Sequence, residues 1–340
     1  MNILAFESSC DETSVAIVKD GHAVLSNVVW SQMTVHQRFG GVVPEVASRE
    51  HVKGITLILD AAFEQAGLTP EAIDAVAVTE GPGLIGSVLV GLNAAKAWAL
   101  AHQKPLLGVH HIAGHIYAAQ AVKPMHFPLV ALVVSGGHTE ILKMNDHLRF
   151  ELLGQTLDDA IGEAFDKVAR VLNLGYPGGP AVENQAREAT ATLAMPQVNL
   201  AGYNVSYSGL KSHVINTINT TKMKKETLDV AALAHSFQEA AIAQIVHKTR
   251  QAVEDHGIKQ CIVAGGVAAN QRLRVLLHEA LPNTDLIFPP MSLCTDNAAM
   301  IGCAAYHQYH TEGILEGLAL HGYSRQPLTQ RYERRSNDGK

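Results

Sequence analysis

Asn2–Lys19 reads NILAFESSCDETSVAIVK, and Pro128–Met144 reads PLVALVVSGGHTEILKM. Each is an apolar run, a short polar turn and a second apolar run. Short apolar runs bounded by turn residues read as buried strands. A third strand pattern follows in both places, at Ala23–Trp30 and at Leu148–Leu153. The order strand, polar turn, strand, strand, helix therefore occurs twice. Two related α/β lobes with a cleft between them is the simplest architecture, with one polar turn from each lobe facing the cleft. The competing reading is two ordinary hairpin turns. No short repeat of solenoid type is visible.

The rest of the chain fits an α/β alternation. Ser48–Ala66 has helical spacing (Val52, Ile55, Leu59, Ala62, Phe63) and stops at Gly67. Ile73–Thr79 reads as a buried strand broken by Gly81-Pro82-Gly83, and Leu84–His102 as a long helix. A short strand at Leu106–Val109 and a helix at His111–Val122 follow. In the second half, helices are expected at Asp158–Leu172, Ala181–Ala191 and Lys224–His256. Then come a strand at Gln260–Ala264, a helix at Val267–Ala280, a strand at Leu286–Phe288 and a helix at Asp296–Tyr309. The expected division is an N-terminal lobe at 1–108, joined by the helical region near 305–325, and a C-terminal lobe at 109–304. Residues 326–340 are expected to be a flexible basic tail carrying Arg331, Arg334, Arg335 and Lys340 against Glu333 and Asp338.

Composition narrows the function classes. The chain has 340 residues, 47% apolar and 17% charged, which suits a sizeable core and excludes a disordered chain. Its four cysteines (10, 261, 294, 303) form no CxxC pair, which argues against a disulfide scaffold or a thiolate zinc site. With 18 histidines, a metal here would be held by imidazole and carboxylate. A net charge of −6 argues against a general nucleic-acid coat and leaves room for a local basic patch. The N-terminus lacks a basic region and turns acidic at Glu7, unlike a signal peptide. The longest apolar run, Leu84–Ala101, is interrupted by Ser87, Asn93 and Lys96, so a buried helix is expected in place of a membrane span. A soluble, cytoplasmic protein is the expectation.

Several constellations could carry chemistry. His111-Ile-Ala-Gly-His115 puts two imidazoles on one helix face, close enough to share a metal ion. The zinc-protease pattern is only half met, because Ile112 stands where a general-base glutamate would be. The plain alternative is two polar residues on an exposed helix face. A third ligand could be Asp11, Asp166 or Asp296, and spacing does not choose among them. Asp296, in Ser292-Leu-Cys-Thr-Asp-Asn297, stands where a helix begins, and on spacing alone a helix cap is the better reading. Ser135-Gly136-Gly137-His138-Thr139, Gly265-Gly266 and Gly81-Pro82-Gly83 are glycine breaks directly after strands, able to cradle phosphate oxygens. None is a Walker loop. Tyr176-Pro-Gly-Gly-Pro180, with Asp166 in the helix before it, could grip a ribose or be a plain connection. Glu7, Asp11 and Glu12 crowd one turn, where carboxylates repel unless a cation or a proton is shared.

Together, Glu7-Ser-Ser-Cys-Asp-Glu-Thr13, His111-Ile-Ala-Gly-His115, Val134-Ser-Gly-Gly-His138, Tyr176-Pro-Gly-Gly179 and Gly265-Gly-Val-Ala-Ala-Asn270 resemble the bacterial TsaD family of tRNA N6-adenosine threonylcarbamoyltransferases. The resemblance runs in order from residue 1 to about 325. It implies a duplicated two-lobe fold of the actin/Hsp70 (ASKHA) class with a nucleotide and metal cleft. It also implies transfer of a threonylcarbamoyl group from threonylcarbamoyl-AMP to N6 of the adenosine 3′ of the anticodon. One divalent ion per subunit, iron or alternatively zinc, would be held by His111, His115 and Asp296, which reverses the cap reading of Asp296. Substrate or nucleotide contacts would fall on Val134, Ser135, Gly136, Gly137, His138, Asp166, Gly179 and Asn270. They would also fall on Glu183, where the family commonly has Asp. Glu12 or Asp11 would accept the proton. The implied partners are tRNA, a paralogous actin-fold subunit and a small ATPase. The alternatives are an actin-fold ATPase or kinase, which leaves the two histidines unexplained, a metallopeptidase, which lacks its glutamate, and a non-enzymatic scaffold.

Overall fold

The computed structural model describes residues 1–313 and 317–337, with side chains as far as Tyr332. The first sheet contains β1 (Asn2–Glu7), β2 (Glu12–Lys19), β3 (Ala23–Ser31), β4 (Ala75–Gly81) and β5 (Leu106–His110), in the order β3-β2-β1-β4-β5. The second contains β6 (Leu129–Val134), β7 (Thr139–Asp146), β8 (Arg149–Gln155), β9 (Gln260–Ala264) and β10 (Asp285–Ile287), in the order β8-β7-β6-β9-β10. The two orders are the same, strand for strand. The duplication expected from two similar stretches of sequence is therefore a duplication of topology.

In the first sheet β1 pairs antiparallel with β2, Glu7 opposite Ser14, and parallel with β4, Phe6 opposite Val78. The central strands are apolar along their length because both faces are covered. Leu4, Phe6, Val15, Ile17, Val76 and Val78 form one core with Ile55, Ile58 and Ala62 of the helix Pro44–Ala66 and Leu92, Ala95 and Trp98 of the helix Ile85–Ala101. The helix Ala298–Glu312 packs on β1 and β2 from the other face. It comes close because Gly302 has no side chain, since a Cβ there would sit 2.7 Å from Val18 and 3.4 Å from Ala5. That close packing fixes the start of this helix, and with it Asp296. Truncating Phe6 to alanine would cost about 3–5 kcal/mol on the usual scale for buried aromatics.

The chain divides into two compact units, residues 1–127, 144–151 and 287–340, and residues 128–143 and 152–286. The helix His111–Tyr117 lies in the first unit, whereas the sequence boundary at 108/109 put it in the second lobe. Its Gly114 lies directly against Met300 and Ile301 of the helix Ala298–Glu312, which explains the grouping. In the second unit β6 runs parallel to β9, Leu129 opposite Gln260, beside the helices Ile161–Val171, Gly178–Ala186, Val230–Asp255 and Gln271–Ala280.

Some elements differ from their sequence reading. Lys224–His256 was expected as one helix, but the helix is Val230–Asp255, with the Asp229 carboxylate accepting from Ala232 N–H at 2.8 Å. A helix at Ser208–Met223 went unmarked, because only Leu210 and Val214 are buried and the apolar stripe is thin. Val267–Ala280 resolves into a short 3-10 turn, Gly266–Ala269, and a helix Gln271–Ala280. Leu328–Asn337 is a helix where a free extension was expected, and Leu328, Arg331 and Tyr332 are buried. Arg331 ion-pairs with buried Glu80 and donates to Gly108 O at 3.2 Å. Asp338, Lys340, residues 314–316 and the side chains of Glu333, Arg334 and Arg335 lie outside the described residues. Among the described residues no helix is long and apolar enough to cross a membrane.

Candidate functional site

β5 ends at His110, and its side chain starts the next helix. His110 Nδ1 accepts from Ile112 N–H at 3.2 Å, and Nε2 donates to Gln326 O at 2.8 Å. His110 is thus a cap, and His111 and His115 face elsewhere. His111 is 8% exposed and His115 is 1% exposed, which excludes the reading of two polar residues on a solvated face. Their rings meet edge to face with centroids 4.6 Å apart.

Asp296 completes the cluster. His115 Nε2 lies 3.1 Å from Asp296 Oδ1, and His111 Nε2 lies 3.5 Å from the same oxygen. The cap of the helix Ala298–Glu312 is the neighbour, Asn297, whose Oδ1 accepts from Met300 N–H at 3.0 Å. Asp296 is therefore relieved of the capping role that spacing assigned to it. Of the three candidate third ligands, Asp296 is the one that groups with the histidines; ligand atoms of the three residues all lie within 4.8 Å of one another. Asp166 accepts instead from Gly178 N–H at 2.7 Å, in the second unit.

The donor set suits a divalent ion. Two imidazoles and a carboxylate fit iron(II) or zinc. On His115, Nε2 is the nitrogen facing Asp296, and Nδ1 is buried without a hydrogen-bond partner. On His111, Nδ1 faces the Glu7 carboxylate at 3.1 Å and Nε2 again faces Asp296. Burial alone would lower the His111 pKa, but the Asp296 and Glu7 carboxylates outweigh it and hold His111 up to about 9. The pocket thus favours positive charge.

The turn between β1 and β2 brings more carboxylates. Burial raises Glu12 most, and neighbouring Asp11 and Asp296 raise it further, up to about 10. The turn is braced from behind. His51 Nε2 donates to Cys10 O at 3.0 Å while Nδ1 accepts from Thr13 Oγ1 at 2.7 Å, and Gln32 N–H donates to Asp11 O at 3.1 Å. Ser8 rests on the helix Ile85–Ala101, its hydroxyl donating to Ser87 O at 2.8 Å and accepting from Gly91 N–H at 3.0 Å.

The second unit carries the other expected residues. Val134 ends β6, and the Ser135–His138 turn closes with Ser135 N–H to His138 O at 2.8 Å. Ser135 Oγ accepts from His138 N–H at 3.0 Å, and Gly136 and Gly137 are exposed. Ser135 O accepts from Gly162 N–H at 3.2 Å, which ties the turn to the helix bearing Asp166. Gly265, at φ +93°, lies so close to Val134 O that no larger residue fits. The helix Gly178–Ala186 carries Gly179 and Glu183. Glu183 Oε1 accepts from Gln271 N–H at 3.1 Å and from Arg187 at 3.0 Å. Asn270 accepts from Leu273 N–H at 2.9 Å, capping its helix, and donates to Gln238 Oε1 at 3.1 Å. These contacts tie Ser135 to the helix of Asp166, Asp166 to Gly178 beside Gly179, and Glu183 to Gln271 beside Asn270.

Sequence reading missed the supporting groups. Glu7 was seen only as one of three crowded acids. Thr79, Ser9, His51 and Gln32 carried no signal, since each matters through a partner far along the chain. A usable clue was Glu7 itself, a charge directly after the apolar run Ile3–Phe6.

The family model of TsaD, tRNA N6-adenosine threonylcarbamoyltransferase, matches residues 23–303. The tRNA N6-adenosine threonylcarbamoyltransferase of Staphylococcus saprophyticus is 53% identical over 332 residues, covering 96% of this chain and 97% of that one. The enzyme of the same name from Geobacillus kaustophilus is 53% identical over 331 residues, covering 96% of each. A crystal structure of HypF from T. kodakarensis superposes with TM-score 0.64 at 16% identity, over 94% of this chain and 49% of that one, a likeness of fold alone. With the doubled sheet order, this is an α/β fold of the actin/Hsp70 class. The chain belongs to the TsaD family of tRNA N6-adenosine threonylcarbamoyltransferases.

Proposed function

We propose that this protein transfers a threonylcarbamoyl group from threonylcarbamoyl-AMP to N6 of the adenosine 3′ of the anticodon in tRNAs that read ANN codons. The observation that carries the reading is identity of about half the residues, over nearly the full length, with enzymes of that name. The buried His111, His115 and Asp296 cluster adds chemical support.

The donor is a mixed anhydride, so AMP is already a good leaving group. N6 of adenosine is a weak nucleophile. In the reaction N6 attacks the carbamoyl carbon, a C–N bond forms, and the C–O bond to AMP breaks with its electron pair leaving on the phosphate. One N6 proton must be taken up, and the oxyanion of the tetrahedral intermediate must be stabilised.

His111, His115 and Asp296 would hold one divalent ion, iron or alternatively zinc. Such an ion supplies Lewis-acid polarisation of donor oxygens when bound. The Asp11–Glu12 pair takes the N6 proton. A cation held at Asp296 would lower part of the repulsion that adds to burial in raising Glu12. In the second unit, the amides of exposed Gly136 and Gly137, between Ser135 and His138, suit phosphate oxygens. Val134, Asp166, Gly179, Glu183 and Asn270 are proposed to bind substrate or nucleotide.

A metallopeptidase finds no support, since Ile112 is buried at the place of the missing glutamate. The tRNA surface is proposed to be composite. Of the basic residues that could meet phosphates, Arg272 is paired with Glu239 at 2.6 Å, Arg274 donates to Ala268 O at 2.7 Å, and Arg331 is buried. Lys222, Lys224 and Lys225 are exposed. Phosphate affinity scales with such cations, and the net charge is −6. A paralogous actin-fold subunit and a small ATPase would add the missing surface, in the cytoplasm where the tRNA is. The test is a modification assay with tRNA and threonylcarbamoyl-AMP, with and without metal. ATP hydrolysis indifferent to tRNA and metal, without nucleoside modification, would favour the ATPase instead.

A further inference from the structure

Glu7 is wholly buried at the end of β1, and both of its carboxylate oxygens are used. Oε1 accepts from Ser9 N–H at 2.5 Å, inside the turn that leads to Asp11 and Glu12. Oε2 accepts from Thr79 Oγ1 at 2.5 Å and faces His111 Nδ1 at 3.1 Å. Ser9 Oγ lies 3.1 Å from the same nitrogen. An ionised carboxylate has no proton to give, so the proton between Glu7 and His111 is on Nδ1. Nε2, on the side of Asp296, is then the nitrogen that a cation can take in exchange for its proton. A carboxylate that orients a ligating histidine through its second nitrogen commonly tunes metal affinity.

We propose that Glu7 is a positioning residue that fixes the ligating tautomer of His111 with one oxygen and the Ser8–Glu12 turn with the other. The inference rests on the reading of His111, His115 and Asp296 as a metal site. One side chain thereby sets both the metal ligand and the proton-accepting acids, which lie about 100 residues apart in sequence.

The isosteric change Glu7→Gln separates the two jobs. An amide accepts at one end only. With its NH2 toward His111, Nδ1 must become the acceptor and the proton moves to Nε2, where it blocks ligation. The test uses the full-length protein and Zn2+ alone. Zinc affinity is measured by chelator competition, and the ring nitrogens of His111 by 15N NMR. Wild type is expected to bind one zinc with Nδ1 protonated. Glu7→Gln is expected to bind zinc 10–100-fold more weakly, with an altered His111 pattern. Thr79→Val, which removes only the hydroxyl on Oε2, is expected to weaken zinc roughly threefold in the same direction, and it decides the matter if Glu7→Gln does not fold. If wild type and His111→Ala take up zinc alike, the metal reading falls and the inference with it. If wild type binds zinc and His111→Ala does not, but Glu7→Gln matches wild type in affinity and His111 spectrum, the role of Glu7 is wrong and the metal reading stands. The same result for Thr79→Val, should Glu7→Gln be unfolded, overturns the role equally.

Discussion

His115 Nε2 stands 3.1 Å from Asp296 Oδ1, across 181 residues of sequence, and the adjacent Asn297 caps the following helix in its place. Two neighbouring residues thus divide two jobs that the sequence offers to either. Removing them should have opposite signatures. Asp296→Asn is expected to abolish stoichiometric metal uptake with little change in melting temperature of the metal-free protein. Asn297→Ala is expected to keep the metal and cost about 1 kcal/mol of stability, as for other lost caps. Metal analysis and thermal unfolding of both variants check this.

Burial, and then neighbouring Asp11 and Asp296, hold Glu12 up to about 10 in the metal-free protein. Glu12→Gln removes a titratable site and keeps the shape. Transfer from supplied threonylcarbamoyl-AMP is expected to fall at least about 100-fold, the usual scale for a lost acid–base group, with metal content unchanged. Full transfer by the variant would remove Glu12 from the mechanism and leave Asp11 as the acceptor.

Arg331 and Glu80 form a buried pair beside β5. Burying one charge without the other is far worse than burying neither. Arg331→Met is expected to cost about 3–5 kcal/mol, measured by denaturant unfolding. Adding Glu80→Gln to Arg331→Met should recover much of that loss, because the orphan charge is gone. Equal destabilisation by the single and double variants would show that the ion pair is not the anchor.

His147 and His307 stack with centroids 4.0 Å apart, and His147 Nδ1 accepts the Tyr117 hydroxyl at 3.0 Å. Burial, and then the neighbouring imidazoles, push His307 down to about 3. An unfolded histidine titrates near 6.5. Between those values the unfolded chain binds a proton that the folded chain refuses, so stability is whole above pH 6.5 and is lost as pH falls toward 3. A fully shielded group would give about 1.4 kcal/mol per pH unit; His307 is only half-buried, and about half that slope is expected. Unfolding followed from pH 7 to pH 5 should show a shallower loss for His307→Phe than for wild type.

The repeated strand pattern was legible because burial on both faces leaves long apolar runs, and its doubling survives as identical strand order. The two histidines were legible because a helix places residues four apart on one face. Asp296 was not, because Thr295, Asp296 and Asn297 cap a helix equally well until Asn297 is seen bonding Met300. The support of the site by Glu7, Thr79 and His51 was hidden for a related reason. Each is defined by a hydrogen bond to a residue dozens of positions away, and no periodicity reports such pairs. The buried end of the chain was misjudged from its charge. Arg331 sits among basic residues that look solvated, yet the apolar Leu328 and Tyr332 carry it inward.

The most direct test of the central claim is reconstitution. The purified protein, loaded with iron or zinc, is combined with unmodified tRNA, threonylcarbamoyl-AMP, the paralogous subunit and the small ATPase, and the digested nucleosides are analysed by mass spectrometry. The account predicts N6-threonylcarbamoyladenosine in the complete mixture and its loss when His111→Ala replaces wild type. A complete mixture that yields no modified nucleoside would contradict it.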